Sequence, residues 1–375
     1  MRLLFVTNGH GEAAIAARIA RELPGAQTHH FALVGAGFGD ASFIDVGPQR
    51  AMPSGGLVAM GNLAAFSRDL RAGFLSLLAA QIGFLRAARS AYDCVVAVGD
   101  VYALLLARFT ALPTVYVGTA KSVYVVPYGS LERRVLRGAR AVFVRDEATA
   151  VDLRAHRVAA QAPGNVIVDL LYDDAASLVW TKPLRLALLP GSREPAYGDA
   201  VLLAAVARRV AELHADVEAA ISVAPGLDAT RFAETLRADG WSLQMEAADS
   251  FHAPPVLRGV RGGLGALLAT ATVAIGQAGT ANEAAAGCGL PVVALETPIG
   301  SRAVGWYRMR QAKLLGEALA IVPGDVEGAA RAVVALLDDS ARRERMGAVG
   351  RERMGGSGGA ARIAAEIARI AEHAA

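Results

Sequence analysis

Apolar residues along this chain fall into two alternating patterns. Continuous apolar runs occur at Leu3 to Thr7, Phe31 to Val34, Cys94 to Val98, Thr114 to Gly118, Ala141 to Val144, Leu184 to Leu189, Val217 to Val223, Thr272 to Ile275, Pro291 to Leu295 and Ala320 to Val322. Runs of this kind, bounded by Gly, Pro, Asn or Asp, predict strands covered on both faces. Between them lie alanine-rich stretches whose apolar positions recur at three- and four-residue steps, which predicts helices. One follows Glu12 and stops at Leu23 before Pro24-Gly25; others begin near Gly198, around Trp306 to Leu315, and at Ala360 to His373. The alternation loosens between Val168 and Pro183, where Asp169, Asp173 and Asp174 stand without a strand run, and restarts at Leu184. The pattern predicts an α/β protein of two Rossmann-like, doubly wound domains facing a cleft. The expected boundaries are 1–168, a linker over 169–183, a second domain over 184–355, and a C-terminal helix over 356–375 for which the first domain is a docking surface.

The most informative stretch is Val273 to Leu295. It reads as strand, glycine turn at Gly276-Gln277-Ala278-Gly279, short helix from Thr280, glycine stop at Gly287 and Gly289, and a strand opened by Pro291. Backbone N–H groups from Gly279 to Asn282 would form a positive pocket at a strand's carboxyl end, where α/β sheets bind ligands and helix N-termini hold phosphates. Glu283, one turn in, could accept hydrogen bonds from sugar hydroxyls. The same Thr280-x-x-Glu283 spacing also spells a capping box, in which the glutamate folds back on its own helix. Pro190-Gly191-Ser192-Arg193 offers a second phosphate-suited turn, or an ordinary turn with a solvated arginine. In the first half, Gly99-Asp100 ends a strand, so Asp100 either faces the ligand crevice or caps the next helix. The turn Asn8-Gly9-His10-Gly11-Glu12 lacks the third glycine of a dinucleotide fingerprint, and the second strand ends in glycine rather than an acid. The sequence Gly-x-x-x-x-Gly-Lys-Ser/Thr is absent as well, which argues against a P-loop ATPase.

From Ser54 to Arg89 the pattern becomes amphipathic and basic. Leu63, Phe66, Leu70, Phe74, Leu77, Leu78, Ile82 and Leu85 share the stretch with Arg68, Arg71, Arg86 and Arg89. It predicts a helix or helix pair packed on the sheet, or a surface that rests on anionic lipid.

Composition narrows the class. The 375 residues are 54% hydrophobic and 19% charged, enough for two cores and unlike a disordered chain. A net charge of +3 and a pI near 9.0 reflect a slight excess of arginine, since lysine occurs only at Lys121, Lys182 and Lys313. No basic block with interleaved aromatics suggests nucleic acid as a partner. Cys94 and Cys288 read as packing residues. The first residues lack a basic n-region and long apolar core, and no run suits a spanning helix. The expected setting is the cytoplasm, with peripheral contact through residues 54–89 on the inner face of the membrane as an option.

Two doubly wound domains with a nucleotide-like site in the second suggest a cleft enzyme of the GT-B glycosyltransferase type. No Asp-x-Asp and no His/Cys/Asp cluster with metal spacing occurs, so a metal-independent transfer without cofactor is expected, its leaving diphosphate neutralised by helix N-termini and arginine. Leu188-Leu-Pro-Gly-Ser-Arg193, Gly279-Thr-Ala-Asn-Glu283 and Gly289-Leu-Pro-Val-Val293 resemble lipid-A-disaccharide synthase, above all its "related" branch. Thr7-Asn-Gly-His-Gly-Glu12, Gly99-Asp100, Val117-Gly-Thr-Ala-Lys121 and Gln311-Ala-Lys-Leu-Leu-Gly316 are similar to that branch too. The resemblance implies transfer of a hexosamine-type sugar from a UDP-sugar to a hydrophobic or lipid-linked acceptor. It places Gly191, Ser192, Arg193, Gln277, Gly279, Thr280, Asn282 and Glu283 at the nucleotide-sugar, and His10, Glu12 or Asp100 at the acceptor hydroxyl. The synthase proper carries Gly-Glu-Ala-Ser-Gly-Asp after its first strand, so the acceptor is the part least transferred. A UDP-sugar epimerase on the same fold and a non-catalytic UDP-sugar-binding protein are the alternatives.

Overall fold

The computed structural model describes residues 1–35, 37–50, 70–173, 178–245, 250–254, 256–296 and 302–373. The chain forms two compact units, Met1–Leu170 with Ser357–Ala375, and Leu171–Gly356.

In the first unit the described elements are β1 (Arg2–Thr7), α1 (His10–Arg21), β2 (Gln27–Ala32), β3 (Ile44–Asp45), α2 (Phe74–Ala87), β4 (Cys94–Gly99), α3 (Val101–Ala107), β5 (Thr114–Gly118), α4 (Ser130–Leu136), β6 (Ala141–Phe143), α5 (Glu147–Ala155), β7 (Ala160–Gln161) and α6 (Val166–Asp169). The strands pair in parallel in the order β3-β2-β1-β4-β5-β6-β7. Successive side chains of β1 point to opposite faces, and both faces are covered. Leu3 and Phe5 pack with Ile15 and Ile19 of α1, and Leu4 and Val6 with Leu85 of α2 and Leu104 of α3. The C-terminal helix, Gly359–Glu372, belongs to this unit, burying Ile363, Ala364, Ile367, Ile370 and Ala371 beside α1 and β4. Its amphipathic spacing supplies the apolar face, and the buried Asp169 holds its start, accepting from Gly358 N (2.5 Å) and Ala360 N (2.7 Å).

The second unit contains β8 (Leu184–Leu189), α7 (Ala196–Leu213), β9 (Val217–Val223), α8 (Ala229–Ala238), β10 (Gln244–Met245), β11 (Phe251–Ala253), β12 (Leu257–Arg261), α9 (Leu264–Thr270), β13 (Val273–Gly276), α10 (Thr280–Gly287), β14 (Val292–Leu295), α11 (Arg302–Leu315), β15 (Leu319–Val322), α12 (Val326–Asp338) and α13 (Ser340–Met354). Its sheet runs β10-β11-β12-β9-β8-β13-β14-β15, with β10-β11-β12 antiparallel and the rest parallel. Counting the parallel strands in chain order, both sheets share the order third, second, first, fourth, fifth, sixth. That is the doubly wound Rossmann arrangement.

Two sequence expectations are corrected. The second strand spans Gln27–Ala32 rather than Phe31 to Val34, because the polar His30 is accommodated inside the sheet. Its ring bonds Thr7 Oγ1 (2.8 Å) and Asp45 Oδ1 (2.5 Å). The strand β12 was not expected at all, although it supplies the third position of its sheet. No helix among the described residues is long and apolar enough to cross a membrane.

Candidate functional site

Strand order alone picks out one place in each unit. Neighbouring strands whose connections leave in opposite directions open a crevice at their carboxyl ends. These are β8 and β13 in the second unit, and β1 and β4 in the first.

In the second unit, β8 runs into Pro190-Gly191-Ser192-Arg193 and β13 into Gln277-Ala278-Gly279. The second loop is tied to the end of β8, since Gln277 N and Ala278 N both donate to Leu189 O (3.0 and 3.2 Å). Gly191 has φ +113°, a conformation that favours glycine, and Ala278 Cα lies 3.9 Å from where its Cβ would be. Ser192, Arg193, Gly279 and Thr280 are exposed. Neither helix that starts here has a side-chain cap: α7 begins after Pro195 and α10 after Gly279. Thr280 is therefore the first residue of α10 and not its cap, and no capping box closes that end. Glu283 is half-buried one turn in, its own N–H on Gly279 O (3.2 Å).

Gln277 and Asn282 face inward. Asn282 is fully buried and donates to Gly276 O (3.0 Å). A Cβ on Gly276 would lie 2.0 Å from Asn282 Oδ1, so only glycine fits. Gln277 donates to Leu295 O (3.2 Å) and accepts from Arg308. Both residues shape the loop from behind, while Gly279 and Thr280 present its face. The sequence reading missed Asp199, Arg308 and Gln311 as members of this neighbourhood. Burial lowers the pKa of Arg308 while the charge of Asp199 opposes that, and burial raises the carboxyl of Asp199 while Arg308 opposes it. Gln311 had surfaced only inside the run Gln311 to Gly316; nothing in local periodicity marks a buried glutamine as a partner of a turn 32 residues earlier.

In the first unit, the turn after β1, which carries His10 and Glu12, meets the turn after β4, which carries Asp100. Gly99 has φ +131°, and a Cβ there would meet Asn8 Oδ1 at 2.1 Å and Glu12 Cγ at 3.1 Å. A Cβ on Gly9 would meet Glu12 Oε2 at 2.3 Å. Asp100 follows directly and caps α3, its Oδ1 accepting from Tyr102 N (2.9 Å) and Ala103 N (3.3 Å). Glu12 makes no hydrogen bond or ion pair among the described residues. His10 opens α1, and its side chain lies outside the described residues. Beneath the loop, Tyr116 donates to Gly99 O (3.0 Å) and lies 3.3 Å from the Tyr128 hydroxyl. Burial pushes Tyr116 well above the usual tyrosine range and Tyr128 up to about 12, which keeps both neutral.

Of the basic amphipathic stretch, residues 54–69 lie outside the described residues. In α2, Leu77, Gln81 and Leu85 face the core while Leu75 and Arg86 are exposed, with Arg86 over the Phe109 ring at 5.4 Å. Among the described residues, no three His, Cys, Asp or Glu are grouped as metal ligands would be.

No protein-family model and no curated protein matches the chain. Solved structures do share its fold over nearly the whole length. A UDP-GlcNAc 2-epimerase from Neisseria meningitidis, bound to UDP-GlcNAc, aligns with TM-score 0.59 at 14% identity, covering 98% of this chain and 100% of that one. The glycosyltransferase SnogD from Streptomyces nogalater aligns with TM-score 0.55 at 19% identity, covering 99% of each chain. Glycosyltransferase VinC in complex with dTDP aligns with TM-score 0.55 at 15% identity over 100% of both. What the chain shares with them is the fold, two Rossmann-like α/β units of the GT-B type.

Proposed function

We propose that this chain is a metal-independent enzyme acting on a uridine diphosphate sugar. The observation that carries the reading is the pair of turns at Gly191–Arg193 and Gln277–Gly279, each leading into a helix without a side-chain cap, with the second turn tied to Leu189 O at the end of β8. They flank the switch point of a Rossmann-type sheet and present backbone donors with a nearby arginine, the equipment a diphosphate needs. In this reading Gly191, Ser192, Arg193, Gly279 and Thr280 hold the diphosphate and Glu283 the ribose, while Gln277 and Asn282 support the turn. Glu12, Asp100 and His10 are the proposed acid–base groups. Thermal unfolding with UDP, ADP and dTDP tests it, since a ligand of the folded state raises stability by mass action. Absence of a shift with millimolar UDP would refute the donor assignment.

Two chemistries are compatible with that donor. Epimerisation is favoured by the UDP-GlcNAc 2-epimerases among the structures that share the fold. Transfer of a hexosamine-type sugar to a hydrophobic or lipid-linked hydroxyl is favoured by the glycosyltransferase neighbours and by the exposed apolar residues Leu75, Leu105 and Phe109, the last lying under Arg86. Transfer requires an acceptor and epimerisation does not, so incubation with UDP-GlcNAc alone separates them. A new sugar epimer on UDP identifies the epimerase. Turnover only after lipid extract is added identifies the transferase, and tight UDP binding without turnover a binding protein.

A further inference from the structure

Gln311 is 7% exposed, three residues after Arg308 on α11. Its Nε2 donates to two consecutive carbonyls, Ala278 O and Gly279 O, each at 3.1 Å. Its Oε1 accepts from Arg308 Nη1 (2.9 Å) and Asn282 Nδ2 (3.3 Å). The orientation of the carboxamide is dictated by these partners, because a flipped amide would set oxygen against two carbonyls and nitrogen against two donors. Arg308 in turn reaches Gln277 Oε1, so one guanidinium ties both glutamines.

These bonds fix direction as well as position. A trans peptide is planar, with its C=O and N–H pointing opposite ways. Drawing the Ala278 and Gly279 carbonyls toward a buried glutamine therefore aims the next N–H groups, those of Gly279 and Thr280, away from the core. Both of those residues are exposed, and they are the start of the uncapped helix α10.

We infer that Gln311 is the positioning residue of the anion site: it aims the Gly279 and Thr280 N–H groups at the diphosphate, with Arg308 locking its amide. The inference rests on the reading that a uridine diphosphate binds at this turn. Gln311 touches no ligand in this arrangement, so its contribution depends on the phosphates and is indifferent to the nucleoside.

Calorimetric titration of the full chain with UDP and with uridine tests this. Gln311→Met removes all four bonds, and Gln311→Glu preserves size while setting a carboxylate against the two carbonyls. Both should weaken UDP by about tenfold, the factor for one or two net hydrogen bonds lost, and leave uridine affinity unchanged. Arg308→Gln removes the guanidinium that orients Gln311 and ties Gln277, but leaves the two Gln311 bonds to the carbonyls; it should weaken UDP by a smaller factor, about threefold, again sparing uridine, and it serves if the Gln311 variants do not fold. UDP and uridine weakened by the same factor, or UDP unchanged in folded variants, overturns the inference. Wild-type chain that binds neither compound overturns the donor reading and the inference with it, a result visible before any variant is made.

Discussion

Replacing Asp169 tests how the C-terminal helix is held. The two carboxylate oxygens serve different donors, Oδ1 the N–H of Gly358 and Oδ2 that of Ala360. Asp169 is 4% exposed, so water cannot readily replace what is lost. Asp169→Ala orphans one buried donor, Ala360 N, and one half-buried donor, Gly358 N, at a helix start, a cost of about 3 kcal/mol from the range for N-caps and charge-assisted hydrogen bonds. Asp169→Asn keeps one acceptor but sets an NH2 group against the other donor, so it should cost about as much as the alanine or only slightly less. Hydrogen exchange read across Ile363 to Ile370 is the assay, since local protection reports the opening of that helix directly. A fall of about 3 kcal/mol in the opening free energy of these amides is expected. An alanine variant within about 0.5 kcal/mol of wild type, the ordinary effect of a surface substitution, would refute the reasoning.

Other substitutions address the sites. Glu283→Ala should weaken UDP binding; unchanged UDP affinity would remove Glu283 from the ribose. Glu12→Gln and Asp100→Asn should each lower turnover by at least about a hundredfold, the contribution of a general acid or base, while UDP affinity stays the same. Asn at position 100 retains the cap acceptor, so a lost fold would not explain lost turnover. Asp45 gives a pH prediction: burial alone would raise its carboxyl, but hydrogen bonds from Gly39 N, His30 and Phe38 N outweigh that and hold it below the usual range. Its stabilisation is present above the unfolded value near pH 4 and is lost as pH falls through the folded one. Asp45→Asn should therefore be less stable than wild type at pH 7, with the gap closing in acid denaturation as pH falls below the unfolded value.

Much of the fold is legible because buried parallel strands are written as plain apolar runs. The strands β1, β4, β5, β8, β9 and β13 all announce themselves in that way. Where the chain places polar groups inside a sheet, the signal fails. Gln27-Thr28-His29-His30 does not look like a strand until Thr7 and Asp45 are seen to satisfy His30. Leu257-Arg258-Gly259-Val260-Arg261 is masked by its arginines, which reach out to the carbonyls of Val179 and Pro225. The same limit applies to the candidate site. Glycine turns at strand ends could be named from spacing, whereas the inward role of Asn282 and Gln277 depends on α11, whose approach no local pattern encodes.

The insertion of one unit within the other sets an order of events during synthesis. Residues 1–170 emerge first, yet the groove beside α1 and β4 is filled by residues beyond 357. While the intervening unit is being made, at about 5 to 20 residues per second, the nascent first unit carries an uncovered apolar strip on one face of its sheet. Residues 171–356 are contiguous and can close their own core without waiting. The second unit is thus free to mature first, and the first unit is exposed to chaperones for roughly ten seconds or more at the quoted elongation rates.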